Sequence, residues 1–404
     1  MKKKLIILGS GFGSYSLLRN LDFRLFDVTV ISPRNHFLFT PLLPSTTIGT
    51  IEFRSIIEPI RNLNPTLKYI QAEARSVDLY QQQVRYSLED GREGTLKYDL
   101  LVIGVGARTN TFDIPGVRRY GHFLKELNDA RQIRKRVISN FEFASLPGIP
   151  EPEIRQRLHF VICGGGPTGI EFAAELNDFI RGDVCRFYPQ LKSFIQISLV
   201  EAGQEILNVF DHKLRQAARN LFQRQHIEII TGSPVVKVDE SCIHLSSGRE
   251  LNYGLLVWAT GNTPQPLVER LKVPKSELGQ ILVDEFLAVK GLENVFSLGD
   301  CALVENRPLP ATAQVAQQQG RYLARQWRQR AKEKPFRFRS MGMLAYIGND
   351  QALVDTGHVK GSGHLAWVFW RSVYLTRLVR LRNKIRVMVD WILSWIFGRD
   401  ISQF

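Results

Sequence analysis

The sequence predicts an α/β protein with two Rossmann-like dinucleotide-binding domains and an additional C-terminal segment. An apolar run, a glycine-rich turn and a helical pattern follow one another at Gly9–Ser14, and the same succession returns at Gly164–Gly169. This strand–turn–helix layout cradles a dinucleotide pyrophosphate. From Gly9 to Gly106 is 97 positions, and the second copy repeats that spacing up to Gly261. A hairpin pattern and a further strand complete each copy. The chain is therefore expected to bind two nucleotides, most simply a flavin and a nicotinamide.

Composition narrows the class of protein. The chain has 404 residues, of which 44% are hydrophobic and 23% charged, as in a globular protein of two or three domains. The net charge of +14 calls for an anionic partner such as phospholipid or cofactor phosphate. Nucleic acid is the weakest candidate, because no zinc pattern, helix-turn-helix spacing or RNA-binding aromatic motif occurs. The four cysteines form no CxxC pair, which favours a reducing compartment and predicts neither a redox dithiol nor a metal site: Cys163, Cys185, Cys242 and Cys301.

The N-terminal run and the rest of the chain give no expectation of a leader or a membrane span. Lys2–Lys4 followed by an apolar run is the start of a signal-peptide pattern, but the run breaks at once into the first glycine-rich turn. No run reaches the roughly 18 consecutive apolar residues of a transmembrane helix.

The first glycine-rich turn departs from the usual fingerprint in two places. Ser14 replaces the third glycine, and the next strand ends in Ser32-Pro33-Arg34-Asn35 without the acid that usually holds a ribose. Residues 35–45 then read NHFLFTPLLPS. With this segment the chain resembles the type II NADH:quinone oxidoreductases, the single-subunit alternative NADH dehydrogenases of the pyridine nucleotide-disulfide oxidoreductase-like superfamily. The alternative is a proline-broken loop that only stabilises the fold.

The resemblance implies a glutathione-reductase-like architecture, non-covalent FAD in the first domain, and NADH as substrate in the second. The family's segment runs past the adenosine and along the flavin ring. The residues expected to bind FAD are Gly9, Gly11, Phe12, Gly13, Ser14, Ser32, Pro33, Arg34, Asn35, Thr40, Pro41, Leu42, Gly106, Ala107, Asp300, Ala313 and Gln314.

The flavin domain is expected to resume after the nicotinamide domain. Asp300 ends the apolar run from Asn294 and suits a ribityl hydroxyl, although it could equally cap the following turn. Pro308 and Pro310 precede a helix that includes Ala313 and Gln314. The free amides at the start of that helix would stabilise the anion of the reduced flavin.

The second glycine-rich turn matches the fingerprint fully, and its strand ends in Glu201. An acid at this position binds an unmodified ribose and repels a 2′-phosphate, which predicts NADH over NADPH. The residues expected to bind NADH are Gly164, Gly166, Pro167, Thr168, Gly169, Glu201, Gly261 and Asn262.

Three residues are catalytic candidates. Glu171 lies shortly after the second turn, and two interpretations stay open: a carboxylate in the first helical turn on the helix dipole, or, by the resemblance, a proton relay near nicotinamide and quinone. Gln314 and Gln318 share a helix face and would hydrogen-bond the quinone carbonyls, with Gln317 at the rim. A run of glutamines on a helix is also typical of a solvated face.

The C-terminal segment predicts a hairpin around Gly348–Asp350 and then a basic, aromatic helical tail. An apolar helical face is formed by Leu378, Leu381, Ile385, Met388, Ile392 and Trp395. Six cations accompany it: Arg371, Arg377, Arg380, Arg382, Lys384 and Arg386. Such a helix typically lies in a membrane interface. The alternative is packing on the flavin domain or on a second subunit, and in the family such tails support dimerisation as well.

The expected domains are residues 1–118 and 263–330 for FAD, 119–262 for NADH and 331–404 for membrane docking. The expected activity is a non-proton-pumping transfer from NADH through FAD to a membrane quinone. The protein is expected as a homodimer held peripherally on the cytoplasmic face of the cell (inner) membrane. The alternatives are an NADH-sensing flavoprotein with incidental turnover and a ferredoxin- or rubredoxin-type reductase. A disulfide reductase or a sulfide:quinone reductase would need a cysteine pair that this chain lacks.

Overall fold

The chain forms two compact units in a computed structural model that describes residues 2–305, 307–328, 334–357 and 359–402. The first unit comprises Met1–Leu38, Ile57–Arg108 and Asn262–Met341. The second comprises Phe39–Ile56, Thr109–Gly261 and Gly342–Phe404. The chain passes between the two units after Arg108, Gly261 and Met341, and also at both ends of Phe39–Ile56. The domain boundaries drawn from the sequence at 118, 262 and 330 stay a prediction. Arg330 and Ala331, where one boundary falls, lie outside the described residues.

The described residues form strands and α-helices with the following bounds. The strands are β1 Lys3–Leu8, β2 Phe26–Ser32, β3 His36–Leu38, β4 Ile57–Pro59, β5 Lys68–Gln71, β6 Glu73–Asp78, β7 Gln83–Ser87, β8 Glu93–Lys97, β9 Leu100–Ile103, β10 Ala107–Thr109, β11 His122–Phe123, β12 His159–Cys163, β13 Gln196–Val200, β14 Ile227–Ile230, β15 Val235–Val238, β16 Cys242–Leu245, β17 Glu250–Asn252, β18 Leu255–Trp258, β19 Asn262–Pro264, β20 Ile281–Val283, β21 Val295–Ser297, β22 Ala302–Val304, β23 Met343–Gly348, β24 Gln351–Asp355 and β25 Lys360–Gly363. The helices are α1 Phe12–Asn20, α2 Leu43–Thr47, α3 Val117–Tyr120, α4 Leu127–Ala144, α5 Glu151–Arg157, α6 Pro167–Phe179, α7 Cys185–Phe187, α8 His212–Arg224, α9 Pro266–Arg270, α10 Ala313–Arg328, α11 His364–Arg377 and α12 Leu381–Phe397.

The first unit is built on a five-stranded parallel sheet in the order β21-β9-β1-β2-β5. Leu5–Leu8 of its central strand are buried on both faces, which accounts for their continuous apolar run. The backbones of helices α1 and α10 are in contact at Gly13 and Gly320. A Cβ on Gly320 would lie only 2.1 Å from the carbonyl oxygen of Gly13, so this position requires glycine. The predicted hairpin forms within the antiparallel sheet β6-β7-β8.

The second unit repeats this plan. Its parallel sheet has the order β11-β18-β12-β13-β14, and its antiparallel sheet is β15-β16-β17. The sequence-predicted α/β class with two Rossmann-like sheets is therefore confirmed. In each copy, the central strand leads into the glycine-rich turn, so the turn lies at the carboxyl edge of its sheet, where such folds bind ligands.

The C-terminal part of the second unit is a three-stranded antiparallel sheet followed by two helices. The predicted hairpin is present as β23 and β24, and Asn349 and Asp350 turn the chain with φ of 51° and 54°. One expectation for the tail is wrong. Leu378 is 3% exposed and follows the last residue of α11, so the exposed apolar face begins only at Leu381, in α12. Among the helices described, none has both the length and the apolar character required to cross a membrane.

Candidate functional site

The carboxyl edge of the first sheet holds most of the residues expected to bind FAD. Gly9 turns the chain with φ of 94°, and a Cβ there would lie 2.4 Å from the carbonyl oxygen of Gly104. Gly11 and Gly106 face open space instead. A Cβ on Gly11 would meet only an Arg34 nitrogen at 4.0 Å, and one on Gly106 would meet no described atom within 4 Å. The edge thus offers the bare backbone that a pyrophosphate approaches, and a dinucleotide fits it.

Ser14 stands where the third glycine of the fingerprint is expected, and Gly104 makes room for it. A Cβ on Gly104 would lie 2.4 Å from Ser14 Oγ. The glycine that allows close packing is therefore Gly104, directly after β9, and not the residue at position 14 in α1. Close packing of helix on sheet is retained, so the departure at Ser14 does not disturb the turn. Gly13 packs equally tightly, with Leu298 Cδ1 2.2 Å from the place of a Cβ.

Hydroxyl groups replace the usual acid at the end of β2. Ser32 Oγ lies 3.0 Å from Ser10 Oγ, and Arg34 Nε donates to Ser10 Oγ at 3.4 Å. The Tyr69 hydroxyl donates to the carbonyl oxygens of Ser32 and Arg34. Pro33 and Asn35 are exposed, and Phe12 packs edge-on against Phe37 at 4.9 Å between ring centroids. This edge is polar; its described residues include one cation and no carboxylate, and their hydroxyl groups can hydrogen-bond the hydroxyls of an unmodified ribose.

The remaining flavin candidates of the first unit follow β9 and β21. Ala107 is buried at the start of β10, and Asp300 lies in a short 3₁₀ turn, Gly299–Cys301, after β21. Helix α10 begins at Ala313, so Pro308 and Pro310 precede the helix and do not occupy its first turn. Its first turn is thus supplied by Ala313 and Gln314, both partly buried.

The glutamines of α10 behave differently from one another. Gln318 Nε2 donates to the Arg339 carbonyl at 2.9 Å and its Oε1 accepts from Arg339 N at 3.0 Å, while Gln314 Oε1 accepts from Met341 N at 3.1 Å. Gln319, absent from the sequence-based candidates, is 2% exposed and accepts from Gly299 N at 2.7 Å. Its place among buried Val315, Ala316 and Leu323 on one helical face is the signal that could have identified it.

The candidates Thr40, Pro41 and Leu42 belong to the second unit, where they form a short 3₁₀ helix leading into α2. Leu42 is fully buried, and Thr40 and Pro41 are partly buried. Their role at the flavin stays a prediction. The segment that follows them supplies Ser45 and Thr50, whose hydroxyls donate to the two oxygens of Glu175.

The second glycine-rich turn has the geometry of the full fingerprint. A Cβ on Gly169 would lie 1.9 Å from the Gly164 carbonyl oxygen, so helix α6 packs directly on the turn. Gly164 has φ of 122°. By contrast, a Cβ on Gly166 would meet nothing within 4 Å. Pro167 and Thr168 are exposed at the start of α6. The free amides of that helix start and the open space at Gly166 together suit a pyrophosphate.

Glu201 closes this edge of the sheet. Its Oε2 accepts from Gly165 N at 2.6 Å and its Oε1 accepts from Gly203 N at 2.7 Å. Both oxygens are thereby fixed beside the turn. Gly261 follows β18 with φ of 76° and is exposed; its carbonyl accepts from Asn110 N at 3.3 Å. Asn262, the last of the NADH candidates, opens β19 and is exposed.

Glu171 does not lie in the first turn of α6, so the helix-dipole interpretation is wrong. The helix begins at Pro167, and Glu171 is 7% exposed in its second turn. Its Oε1 accepts a hydrogen bond of 3.2 Å from the backbone N of Tyr346. Burial is the largest of the effects that together raise the pKa of Glu171 to about 8; the charge of Glu175 acts in the same direction, and hydrogen bonds from the Tyr346 amide and Trp370 oppose it. The group is therefore a buried carboxylic acid that can donate a proton near neutral pH.

Glu171 is the first of three acids along one face of α6, an arrangement that sequence reasoning missed. Glu175 is 4% exposed, and Asp178 accepts from the Tyr346 hydroxyl at 2.6 Å. Burial raises the pKa of Asp178 to about 6, against the lowering effect of the Tyr346 bond. The Arg399 guanidinium lies 3.7 Å from Glu175 Oε2 and 3.1 Å from Asp183 Oδ2. The spacing of 171, 175 and 178 is the signal in the sequence, but the cation that pairs with Glu175 follows only at Arg399.

Cys163 and a group of possible metal ligands around Cys242 both have structural roles among the described residues. Cys163 is buried within β12, and burial raises the pKa of its thiol well above the usual range, so it packs as an apolar residue. In the described ranges, ligand atoms of Cys242, His244 and Glu250 lie within 4.8 Å of one another. Carboxylates already hold both His244 ring nitrogens, Asp239 at 2.7 Å and Glu250 at 3.0 Å.

The outer side of α12 is apolar and exposed. The largest exposed fractions are those of Trp395 at 82%, Phe397 at 77% and Leu381 at 72%. The inner side buries Asn383, Val387 and Trp391. Arg371 is not one of the outward cations, contrary to expectation. Its guanidinium carbon lies 3.9 Å from the ring centroid of Trp367 and 4.8 Å from that of Trp391, and burial lowers its pKa.

Two dinucleotide cradles at the carboxyl edges of two parallel sheets define a pyridine-nucleotide-dependent oxidoreductase. Residues 3–320 match the family described as pyridine nucleotide-disulphide oxidoreductase, and residues 341–400 match the NDH2 C-terminal domain. The chain belongs to this oxidoreductase family and, within it, to the type II NADH dehydrogenases.

Similar proteins agree over the whole chain. It is 47% identical to "Probable NADH dehydrogenase" of Dictyostelium discoideum, covering 100% of this chain and 91% of that protein. It is 39% identical to "Internal alternative NAD(P)H-ubiquinone oxidoreductase A1, mitochondrial" of Solanum tuberosum, covering 100% of this chain and 88% of that protein. The structure of NDH2 from Plasmodium falciparum in complex with NADH superposes with a TM-score of 0.97 at 30% identity, covering 100% of both chains.

Proposed function

We propose that this NADH:quinone oxidoreductase holds FAD in its first unit, takes NADH in its second, and reduces a quinone at a membrane surface. The observation that carries the proposal is the pair of dinucleotide cradles joined to an NDH2-type C-terminal domain. Bound FAD would accept the hydride of NADH and return two electrons to the quinone, while the protein binds and orients the reactants. The balance is NADH + H⁺ + quinone → NAD⁺ + quinol, so one proton enters from solvent.

Gly9, Gly11 and Gly106 would admit the pyrophosphate of FAD, because the space next to Gly11 and Gly106 is open. Ser32 and Arg34 would face its adenosine. The partial positive charge at the start of α10, around Ala313 and Gln314, would favour an anionic ring edge. Asp300 would bind a ribityl hydroxyl.

The second cradle would bind NADH in preference to NADPH. Gly166 leaves room for the pyrophosphate, and Glu201 is fixed by two amides where a ribose hydroxyl would lie. A 2′-phosphate would meet this carboxylate at close range, and two like charges at that distance repel. Gly261 and Asn262 would complete the site.

Glu171 would supply the proton. Its buried carboxyl is held by the Tyr346 amide and stays protonated at neutral pH. A group with its pKa near the working pH both donates a proton and regains it readily. Gln314 and Gln318 would then bind the quinone carbonyls with their amide nitrogens. In the first unit, Arg339 engages the Gln318 amide at both its oxygen and its nitrogen, and Gln314 Oε1 accepts from Met341 N.

The outer side of α12 would lie in a membrane interface. Its aromatic and aliphatic side chains are exposed, and exposed Arg382 and Arg386 accompany them. Each Lys or Arg near an anionic leaflet contributes about 1 kcal/mol of attraction. We propose the cytoplasmic face of the cell (inner) membrane as the location, which fractionation would test. A homodimer is the expected assembly in detergent, measurable by sedimentation.

The purified protein tests the proposal through its absorbance. A flavin spectrum should be present, bleach on addition of NADH without oxygen, and return on addition of a short-chain quinone. NADH oxidation should be at least tenfold faster with quinone than with oxygen. A rate equal to that with oxygen would support the NADH-sensing alternative, and faster turnover with ferredoxin or rubredoxin would support a reductase of that type.

A further inference from the structure

A charged cluster lies between α6 and the residue stretch that follows α12, all within the second unit. Glu175 occupies the centre of α6, one turn after Glu171, and is 4% exposed. Its Oε1 accepts from Ser45 Oγ at 2.5 Å and its Oε2 from Thr50 Oγ1 at 3.1 Å. These hydroxyls are neutral donors. The charge of a buried carboxylate needs a cation as well, since an uncompensated ion in the interior is costly.

Arg399 is the cation. Its side chain is 15% exposed, its Nη2 lies 3.7 Å from Glu175 Oε2, and its Nη1 lies 3.1 Å from Asp183 Oδ2. Nε also donates to Thr50 Oγ1 at 2.8 Å. The Arg399 guanidinium thus contacts both Glu175 Oε2 and the Thr50 hydroxyl that donates to this oxygen, and Asp183 pairs with the same guanidinium.

The backbone conformation of Gly398, directly after α12, directs the Arg399 side chain toward Asp183 and Glu175. Gly398 has φ of 80°, and a Cβ on it would lie 2.7 Å from Asp183 Oδ1. Arg399 N then donates to the same Oδ1 at 3.2 Å. A left-handed residue without a side chain is therefore required for Arg399 to turn inward rather than follow the helix outward.

The groups that face Glu171 can be named for each element around it. Helix α6 brings Glu175 and Asp178, and β23 brings Tyr346. Helix α11 brings Trp370 and Tyr374 next to Glu171, and Arg371 toward Glu175. Arg371 also faces Asp350 of the hairpin turn. Asp183 faces Arg399 and is paired with it. Among these groups, Glu175 is the one whose charge raises the pKa of Glu171, and Arg399 is the cation that pairs with Glu175.

We propose that Arg399 is a positioning residue for the proton-donating acid: by pairing with Glu175 it keeps that side chain ionised, and the resulting negative charge one helical turn away keeps Glu171 protonated. The inference rests on the proposed function of Glu171. Without Arg399, buried Glu175 takes up a proton itself, its charge disappears, and Glu171 holds its own proton less tightly. Like charges within one site raise the proton affinity of one member, which is the effect used here.

The test is the pH profile of kcat with a short-chain quinone at saturating NADH, recorded on the full-length FAD-loaded protein. Activity should fall as pH rises through the titration of Glu171. Arg399→Gln should move this alkaline limb down by about one pH unit, and Glu175→Gln should do the same. The double variant should equal Glu175→Gln alone, and Arg399→Lys should keep the wild-type profile. An infrared carbonyl band of one additional protonated acid should appear in Arg399→Gln and vanish in the double variant.

An upward shift in Arg399→Gln would mean that its charge acts directly on Glu171 and would overturn the proposal. So would an unmoved limb or additive shifts. If Arg399→Gln does not fold, Glu175→Gln, which keeps the Arg399–Asp183 pair, must still lower the limb. Glu171→Gln separates the two levels. A limb that survives in Glu171→Gln overturns the role of Glu171 and the inference together, whereas a limb lost there but unmoved in Arg399→Gln overturns only the inference.

Discussion

Ser14 and Gly104 share one space between α1 and the end of β9. The Oγ of Ser14 lies 2.4 Å from the position that a Cβ on Gly104 would take, and the Ser14 hydroxyl is fully buried. Leu298 Cδ1 borders the same space at 3.2 Å. A methyl group can therefore occupy it only if the hydroxyl leaves.

Gly104→Ala should lower stability by about 2 kcal/mol through this overlap and weaken FAD retention. Adding Ser14→Ala should restore most of the loss, because it removes only the overlapping oxygen. Thermal unfolding of the two single variants and the double variant measures the coupling. Equal losses in Gly104→Ala with and without Ser14→Ala would contradict the shared-space explanation.

Gly166 and Gly169 provide a matched pair in the NADH cradle. Gly166→Ala should leave the melting temperature near that of the wild type, because a Cβ there would meet no described atom within 4 Å. The same substitution should raise the Kd for NADH about tenfold or more, because the added methyl group narrows the pyrophosphate site. Gly169→Ala should lower stability by at least about 2 kcal/mol, since its Cβ would lie 1.9 Å from the Gly164 carbonyl oxygen. Calorimetric titration and thermal unfolding separate the two effects. Tight NADH binding by Gly166→Ala would refute the placement of the pyrophosphate.

Glu201 sets the choice of nucleotide in the second cradle. Glu201→Gln removes the charge that would repel a 2′-phosphate and retains one oxygen acceptor, for either the Gly165 or the Gly203 amide. The ratio of kcat/KM for NADH to that for NADPH should fall about tenfold or more. Glu205→Gln is the control, because Glu205 pairs with Arg215 at 3.7 Å and should leave the ratio unchanged. An unchanged ratio in Glu201→Gln would assign the preference to other residues.

The pKa of Glu171 predicts how stability depends on pH. Its ordinary pKa of 4.5 is raised to about 8, so between these values the folded chain holds a proton that the unfolded chain has released. This contribution to stability is complete below 4.5 and is lost as pH rises toward 8. Glu171→Gln does not titrate, so relative to the wild type it should gain on the order of 3 kcal/mol between pH 5 and pH 8.

Thermal midpoints of the wild type and Glu171→Gln at both pH values check this difference, in which the effects of other titrating groups cancel. Glu240→Gln, at an exposed position, serves as the control and should run parallel to the wild type. A constant gap between the wild type and Glu171→Gln would show that the buried acid is already ionised at pH 5.

Substitutions on the outer side of α12 test membrane docking. Trp395→Glu places a charge at a side chain that is 82% exposed, so the fold should tolerate it, but binding to vesicles with anionic lipid should weaken about tenfold. Leu278→Glu is the matched control, at 78% exposure in the first unit, and should bind as the wild type does. Vesicle co-sedimentation with increasing salt measures both. Wild-type sedimentation of Trp395→Glu would exclude this face from the contact.

Local pattern sufficed for the parts of the fold in which neighbours in sequence interact. The glycine-rich turns, the hairpin at Asn349–Asp350 and the separation of α12 into two sides all follow from spacing over a few residues. Ser14 is instructive, because its departure from the fingerprint has its compensation at Gly104, on another strand.

The charged cluster could not be found in this way. Arg399 contacts Asp183 across 216 positions, and no local pattern relates the two. The glutamines of α10 show a milder form of the same problem. Their spacing on one helix face singled out Gln314 and Gln318, whereas Gln319 is buried and its partner Gly299 lies in a separate turn. Pairing of distant segments, which depends on the complete fold, decides both cases.

Helix α12 has two stripes on a single backbone, and the consequence concerns genetics as much as structure. Changes at Asn383, Val387 or Trp391 should remove the protein from the cell, since misfolded chains are degraded. Changes at Ile392 or Trp395 should leave a folded enzyme in the wrong place, competent with water-soluble acceptors but separated from its lipid-dissolved one. Within one helix, the side on which a residue lies would thus determine whether a mutation lowers the amount of folded protein or removes a folded enzyme from the membrane.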